Sequence, residues 1–271
     1  KTQIKNKLKN YSIAGINAEI VDLKILYVEL DSTVYFNPAA IASSINLRTN
    51  IISALQLYSQ NVEINKFGGR FKYSKINQLI DRVDNGITSN ITKVIVRRDL
   101  KALLNQFAQY ELCFGNRFYI NPAGYNIKST GFTVSGSDKI AYLTDIPNKD
   151  AAGNLDGSMK GAISVVSKNN KDEQVVLIKS AGSVDYKKGE VILNTINIAS
   201  TQAANNIIEI QAFPESNDVV GLKDLFVSLD VSNSSINMLK DVIASGEDVS
   251  GVVFTRDYYT SSYSNGVLER K

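Results

Sequence analysis

KILYVELDSTVYF, residues 24–36, decides the reading of the chain. Its odd positions begin Ile25, Tyr27, Glu29 and Asp31, and its even positions Leu26, Val28 and Leu30. Alternation with a period of two, in β-branched and aromatic residues, predicts a long strand with at least one well-buried face. Similar residues, Ile20 and Val21, extend the run back toward Ala18. Asn37-Pro38 stops it, because proline brings no amide donor to a ladder. The same pair suits the start of a helix, where proline is tolerated in the first turn.

Downstream, residues from about Ala39 to Ser59 predict a helix. Ile41, Ile45, Ile52, Leu55 and Tyr58 fall at helical spacings and form its apolar stripe. Phe67-Gly68-Gly69-Arg70-Phe71 punctuates the chain. A second helix runs from Tyr73 to Val83, with Ile76, Leu79, Ile80 and Val83 inward. Asp84-Asn85-Gly86 ends it, since Asn and Gly accept the left-handed geometry found after helices. Ile91–Val96 reads as a strand. Upstream, Lys1 to about Asn10 reads as a helix through Ile4 and Leu8. Opening at Lys1 inside that helix, the chain is expected to be a fragment of a longer protein.

From about residue 111 short β-branched or aromatic runs alternate with Gly, Asn, Asp and Ser clusters. Strands are expected at Arg117–Ile120, Tyr125–Val134, Ile140–Leu143, Gly161–Val166, Gln174–Ser180, Glu190–Ile198 and Ile207–Phe213. Lys187-Lys188-Gly189 reads as a hairpin turn. Asn148–Lys160 is the most linker-like segment, or a long β-connection. A final helix is expected over Ser234–Ala244, with Ile236, Leu239, Val242 and Ile243 inward and Gly246 beyond it. The tail Tyr258–Asn265 is polar and tyrosine-rich. The expected fold class is therefore α+β. Residues 1–110 form a strand–helix–helix–strand layer domain, and residues 111–271 a β-rich assembly or dimerisation domain with a C-terminal helix.

The 271 residues are 44% hydrophobic and 21% charged, close to a soluble globular average. No run of about 18 apolar residues exists, so no membrane helix is expected. The formal charge is only +3. The densest basic runs, Lys5–Lys9 and Arg97-Arg98-Lys101, read as solvated patches, whereas a nucleic-acid binder concentrates charge on one face. The chain has no histidine and one cysteine. Ser-His-Asp and Cys-His machinery is thereby excluded within it, as are zinc sites of Cys/His type. Cys113, among Tyr110, Leu112 and Phe114, reads as a small core residue.

The remaining motifs each carry an ordinary reading beside a chemical one. Gly68-Gly69-Arg70 could form an anion nest, but the phosphate-loop fingerprints are missing and glycine suits a structural turn. Asp150–Gly157 resembles part of a calcium loop. With Gly157 at the sixth position, the first and twelfth become Ala152 and Ile163, which lack carboxylates, so the pattern fails. Glu29 with Asp31, and Asp81 with Asp84, are the carboxylate pairs a glycosidase would need. Their plain reading is an exposed strand face and an exposed helix face. Gly69-Arg70-Phe71-Lys72-Tyr73 alternates basic and aromatic residues, as single-stranded nucleic-acid binders do, but reads as a strand or turn edge. Asn90-Ile91-Thr92 and Asn233-Ser234-Ser235 match the glycosylation acceptor by chance.

Lys66-Phe67-Gly68-Gly69-Arg70-Phe71-Lys72-Tyr73-Ser74-Lys75, then Ile80-Asp81, then Ile87-Thr88-Ser89-Asn90-Ile91-Thr92, follow Asp31-Ser32-Thr33-Val34-Tyr35-Phe36 in order. This series resembles the baseplate J-like family, and within it the wedge proteins of T4-like phages. Val184-Asp185-Tyr186 with Gly189-Glu190-Val191 is similar to a further signature of these proteins. The resemblance implies a non-enzymatic virion component of a contractile tail baseplate, assembled in the host cytoplasm. It implies a homodimer that joins other baseplate wedge proteins in a ring around the tail hub, and that helps couple host attachment to sheath contraction. No catalytic, cofactor-binding or metal-ligating residues are expected, and no nucleic acid, membrane or small-molecule substrate. The alternatives are a single-stranded nucleic-acid-binding module and a carboxylate glycosidase. The 13 tyrosines, Tyr258, Tyr259 and Tyr263 among them, are candidates for contacts with neighbours.

Overall fold

The computed structural model describes residues 2–9, 23–61, 63–169, 171 and 173–241. Helix α1 (Thr2–Lys9) precedes β1 (Lys24–Phe36), α2 (Ser44–Ser59), the short strands β2 (Lys66–Phe67) and β3 (Arg70–Phe71), α3 (Tyr73–Asp81) and β4 (Ile87–Lys101). Then follow β5 (Phe107–Cys113), β6 (Lys128–Ser129), β7 (Phe132–Val134), β8 (Ala141–Pro147), β9 (Lys160–Lys168), β10 (Gln174–Asp185) and β11 (Glu190–Thr201). The last strands are β12 (Ile207–Ala212), β13 (Val219–Val220), β14 (Leu225–Leu229) and β15 (Ser235–Lys240).

β1 behaves as its alternation predicts. Leu26, Val28, Leu30, Val34 and Phe36 are buried in one core with Leu47, Ile51 and Leu55 of α2 and Ile76 and Ile80 of α3. Ser32, the polar residue on that face, meets Thr92 hydroxyl to hydroxyl at 2.9 Å. On one side β1 pairs antiparallel with β4. On the other it pairs in parallel with two short strands in succession, β14 at Lys24–Val28 and β15 at Asp31–Phe36. The gap between them is closed by Ser234, whose hydroxyl accepts from Leu30 N and donates to the Asp230 carbonyl.

The sheet continues through β4 to β12, β6 and β8. There it closes: β8 pairs both β7 and β9, and the path β7–β11–β10–β9–β8 returns on itself as a β-barrel. This overturns the α+β expectation. The molecule is mostly β with three short helices among the described residues, not a pair of helix-rich layers. The first layer holds the strands β12, β14 and β15 from late in the chain as well as β1 and β4.

Two local expectations are also corrected. The segment expected as a final helix forms strand β15 through Lys240, because the free edge of β1 beyond Val28 takes up Ser235–Lys240 in ladder register; residues 242–246 lie outside the described residues, as does the tail 258–265. Along α2, Leu55 is buried and Ile52 and Tyr58 pack against the core as the stripe predicts, but Ile45 is 75% exposed and Leu47 and Ile51 are the other buried positions. Asn37 through Ile41 form a separate turn, closed by Ile41 N donating to Asn37 O, and the helix starts only at Ser44 with Ser43 as its N-cap.

Inside the barrel Asp145 is fully buried on β8. Its carboxylate accepts from Ile127 N and from the Tyr186 hydroxyl, both at 2.7 Å. Burial raises the pKa of that phenol, and Asp145 beside it adds to the rise, so Tyr186 remains a donor. Tyr186→Phe removes one of the two donors from a carboxylate sealed from water. It is expected to lower stability by about 1–3 kcal/mol, read as a reduced urea midpoint at unchanged slope.

Candidate functional site

One row of directly paired residues crosses the open side of the sheet, opposite the helices. It runs Tyr27, Arg97, Gln211, Lys128, Thr144 and Ser164, on β1, β4, β12, β6, β8 and β9. Paired residues in a ladder project to the same face, so the row is a continuous strip from the first layer onto the barrel.

At one end lies a charge cluster centred on Arg97. Its side chain is 5% exposed and that of Glu29 2%. Arg97 Nη1 donates to Glu29 Oε1 at 2.7 Å and lies 3.8 Å from Glu209. Nη2 lies 3.1 Å from Asp230. Nε stands 3.1 Å from Asp99 but is misaligned for a hydrogen bond, so that contact is coulombic. The guanidinium carbon sits 4.3 Å above the Tyr27 ring, in cation–π range. Gln211 Nε2 donates to the second Glu29 oxygen at 2.6 Å.

One cation among four carboxylates leaves negative charge in excess, and the protonation equilibria respond. Burial pushes the Glu29 carboxyl up to about 7, against the pull of Arg97. Burial likewise raises Asp99, again opposed by Arg97. Asp230 is held below its ordinary value although burial pushes it up, because Asn233, Ser232 and Arg97 favour its anion. Burial works against the charge of Arg97, but Asp99, Glu29, Glu209 and Asp230 more than offset it and raise its pKa. The cluster is a latch: it joins β1, β4, β12 and the turn after β14, and its carboxylates converge on a guanidinium.

Beyond Lys128 the strip opens into two cavities that share Tyr125 and Lys128. One, of about 340 Å³, is also lined by Tyr142, Thr144, Val166 and Lys168. The other, of about 500 Å³, is also lined by Lys93, Tyr119, Asn121 and Phe213.

The residues singled out in the sequence do not assemble at one place. Glu29 is buried in the latch, not on an exposed strand face, because Arg97 lies beside it to compensate its charge. Arg97 and Arg98 are likewise buried rather than solvated; Arg98 donates to the Cys113 carbonyl from β4. Asp81 accepts from Asn90 Nδ2 and Asp84 from Gly86 N, so each serves a local join. The Gly68 amide donates to Leu222 O and Leu225 O, and Gly69 O accepts from Gly221 N. That turn is stitched to a later loop. Arg70-Phe71 pair with β13 as a strand edge. Asp150 and Asp156 fold their own loop through Ala152, Asn154 and Ser158. Cys113 is half-buried on β5. Among the described residues no group of three or more acidic or cysteine side chains is placed to hold a metal.

Sequence reading passed over the latch and the cavities. Its one available signal was polar or charged residues at odd positions among apolar neighbours: Glu29 on β1, Arg97 and Asp99 on β4, Glu209 and Gln211 on β12.

The family model described as baseplate structural protein gp6, C-terminal domain III, matches residues 24–99, from the start of β1 nearly to the end of β4. Among curated proteins none matches the chain. The match supports the likeness to baseplate proteins of T4-like phages read from residues 31–92, under the gp6 name rather than the baseplate J-like one.

The latch predicts a pH dependence. Glu29 has an ordinary value of 4.5 and stands at about 7 in the folded chain. Between these values the folded state holds a proton that the unfolded state has released. Stability contributed by Glu29 is therefore greatest on the acid side, falls as pH rises from about 4.5 to 7, and levels off above. The full change is of order 3 kcal/mol at most. Asp99 contributes with the same sign. Asp230 contributes with the opposite sign, its share being lost as pH drops through and below the ordinary aspartate range. Denaturant titrations at stepped pH are expected to show the decline, and Glu29→Gln to flatten it.

Proposed function

We propose that the chain is a structural subunit of a contractile phage tail baseplate wedge, acting within the virion. It pairs with a second copy of itself and joins other wedge proteins into the ring around the tail hub. Through that ring it helps couple host attachment to sheath contraction, and it assembles in the host cytoplasm. The observation that carries the reading is the match of residues 24–99 to a baseplate structural domain. The latch agrees with it: its carboxylates grip Arg97 instead of facing a pocket where a bond could be cleaved. Catalysis, a cofactor, nucleic acid, a membrane and a small-molecule substrate play no part in the reading.

A division of the chain near residue 110 belongs to the same proposal. β4 ends in the first layer at Lys101 and β5 joins β11 of the barrel from Phe107, so the chain crosses between them there. β12, β14 and β15 then return to the layer.

Light scattering on the purified chain tests the reading. A mass at least twice that of one chain is expected over a concentration series, since assembly subunits bury large surfaces against their copies. A strict monomer at the highest concentration would refute self-association.

A further inference from the structure

We propose that the two cavities around Tyr125 and Lys128 form one groove that binds an extended peptide segment with spaced acidic side chains, supplied by a neighbouring protein. The assembly reading enters only in saying who supplies the segment; the groove's chemistry stands on its own.

The groove is basic and aromatic. Lys93 and Lys128 are exposed on its walls, and Lys168 stands at its far rim. Lys93 lies across from Asp31 on β1, but the cross-strand neighbours of Lys128 are the neutral Gln211 and Thr144. No acidic residue lines either cavity among the described residues. Tyr119, Tyr125 and Tyr142 supply flat surface with polar tips, which suits peptide contact at little ordering cost.

Two further observations point to an occupant. Thr144 is 5% exposed, lies on the floor beside Lys128, and its hydroxyl has no hydrogen-bond partner within the chain. Buried hydroxyls are ordinarily satisfied, and a carboxylate drawn to Lys128 would accept from this one. Tyr125 has φ of 68°, directly after Gly124 at 82°. A bulky residue pays a steric penalty in that left-handed region. The loop holds it there through Tyr125 N donating to Asp145 O and Gly124 N to Asn121 O. In this conformation Tyr125 is 48% exposed at the junction of the two cavities. Below it the buried Asn126 fixes the wall, donating to Tyr119 O and Phe213 O and accepting from Phe213 N.

Basic grooves with aromatic platforms also suit single-stranded nucleic acid. The surroundings favour a peptide. On the same face, in the row beside the Arg97–Gln211 pair, stand the partly exposed carboxylates of Asp99 and Glu209, paired with each other. A continuous polyanion laid along the face meets them, whereas a peptide can set its acids over the lysines and neutral residues elsewhere.

The test is fluorescence anisotropy at low salt on the full chain. The probes are a labelled peptide of alternating glutamate and serine, its glutamine counterpart, and a labelled oligothymidylate of similar length. Saturable binding is expected for the glutamate peptide alone. Lys128→Glu is expected to weaken it about tenfold or more, whereas Lys149→Glu, the same charge change on a remote loop, leaves it intact. Thr144→Val is expected to weaken it severalfold while leaving the thermal midpoint equal or higher, since a purely structural hydroxyl without a partner is replaced by a methyl at no loss. The inference is overturned if the glutamate peptide does not saturate, if Lys128→Glu leaves its binding unchanged, or if oligothymidylate binds as tightly. Each of these outcomes is separate from the light-scattering result.

Discussion

The guanidinium of Arg97 joins parts of the chain that lie far apart in sequence: Glu29 on β1, Asp99 on its own strand, Glu209 on β12 and Asp230 after β14. A buried cation survives only when its charge is compensated on the spot. Here the compensation comes from residues that are neighbours only if β1, β4 and β12 lie in their observed register. A slip of one residue between β4 and either neighbour would turn Arg97 toward the apolar core under the helices. The latch therefore makes the wrong registers costly. It does so at the middle of the sheet, where the short strands β14 and β15 add few ladder bonds of their own.

How much of this was legible follows from the range of each signal. Alternation in residues 24–36 and helical spacing in residues 73–83 are local, and the structure contains β1 and α3 there. The turn at Lys187-Lys188-Gly189 is local too, and it joins β10 to β11, with Gly189 at φ of 66° packed on the Asn116 backbone. The class of the fold is not local. SINMLK, residues 235–240, places Ile236 and Leu239 three apart, which fits one turn of helix as well as a strand of six residues. The free edge of β1 decides it, and that edge lies some two hundred residues earlier. LFVSL, residues 225–229, is too short to stand out in a sequence, yet it fills the other half of the same edge.

The candidate site was hidden for a related reason. A glutamate in an alternating strand is ordinarily a solvated one, and two adjacent arginines an exposed patch. Both readings fail here: Glu29 and Arg97 compensate each other, Arg98 is satisfied by the Cys113 carbonyl, and only the β1–β4 pairing brings Glu29 near Arg97. The motifs that stood out by spacing proved to be joints. Gly68-Gly69 binds the loop before β14, where added side-chain bulk on Gly69 would meet the Ile64 carbonyl. Val184-Asp185-Tyr186 brings Tyr186 to Asp145 and uses Asp185 to close the following turn through Lys188 N. Glycine and tyrosine stand where the backbone must approach closely or a buried carboxylate needs a donor.

The matched span, residues 24–99, contains β1 and β4 but not the strands that flank them. Its outer face is therefore finished by other parts of the chain: β12 brings Glu209 and Gln211, and the turn after β14 brings Asp230. Because Arg97 is buried while Asp99 and Glu209 stay partly open to solvent, the latch presents negative charge outward even though a cation lies at its centre. Lys128, two strands along the same row, presents the opposite sign. A face with both signs set at fixed positions adds little to raw affinity but penalises misaligned partners, since like charges placed together desolvate without gain. A chain with a net charge of only +3 can thus be selective about orientation without attracting polyanions in general. The pattern of charge on this face, more than its sum, sets which orientations of a bound partner it tolerates.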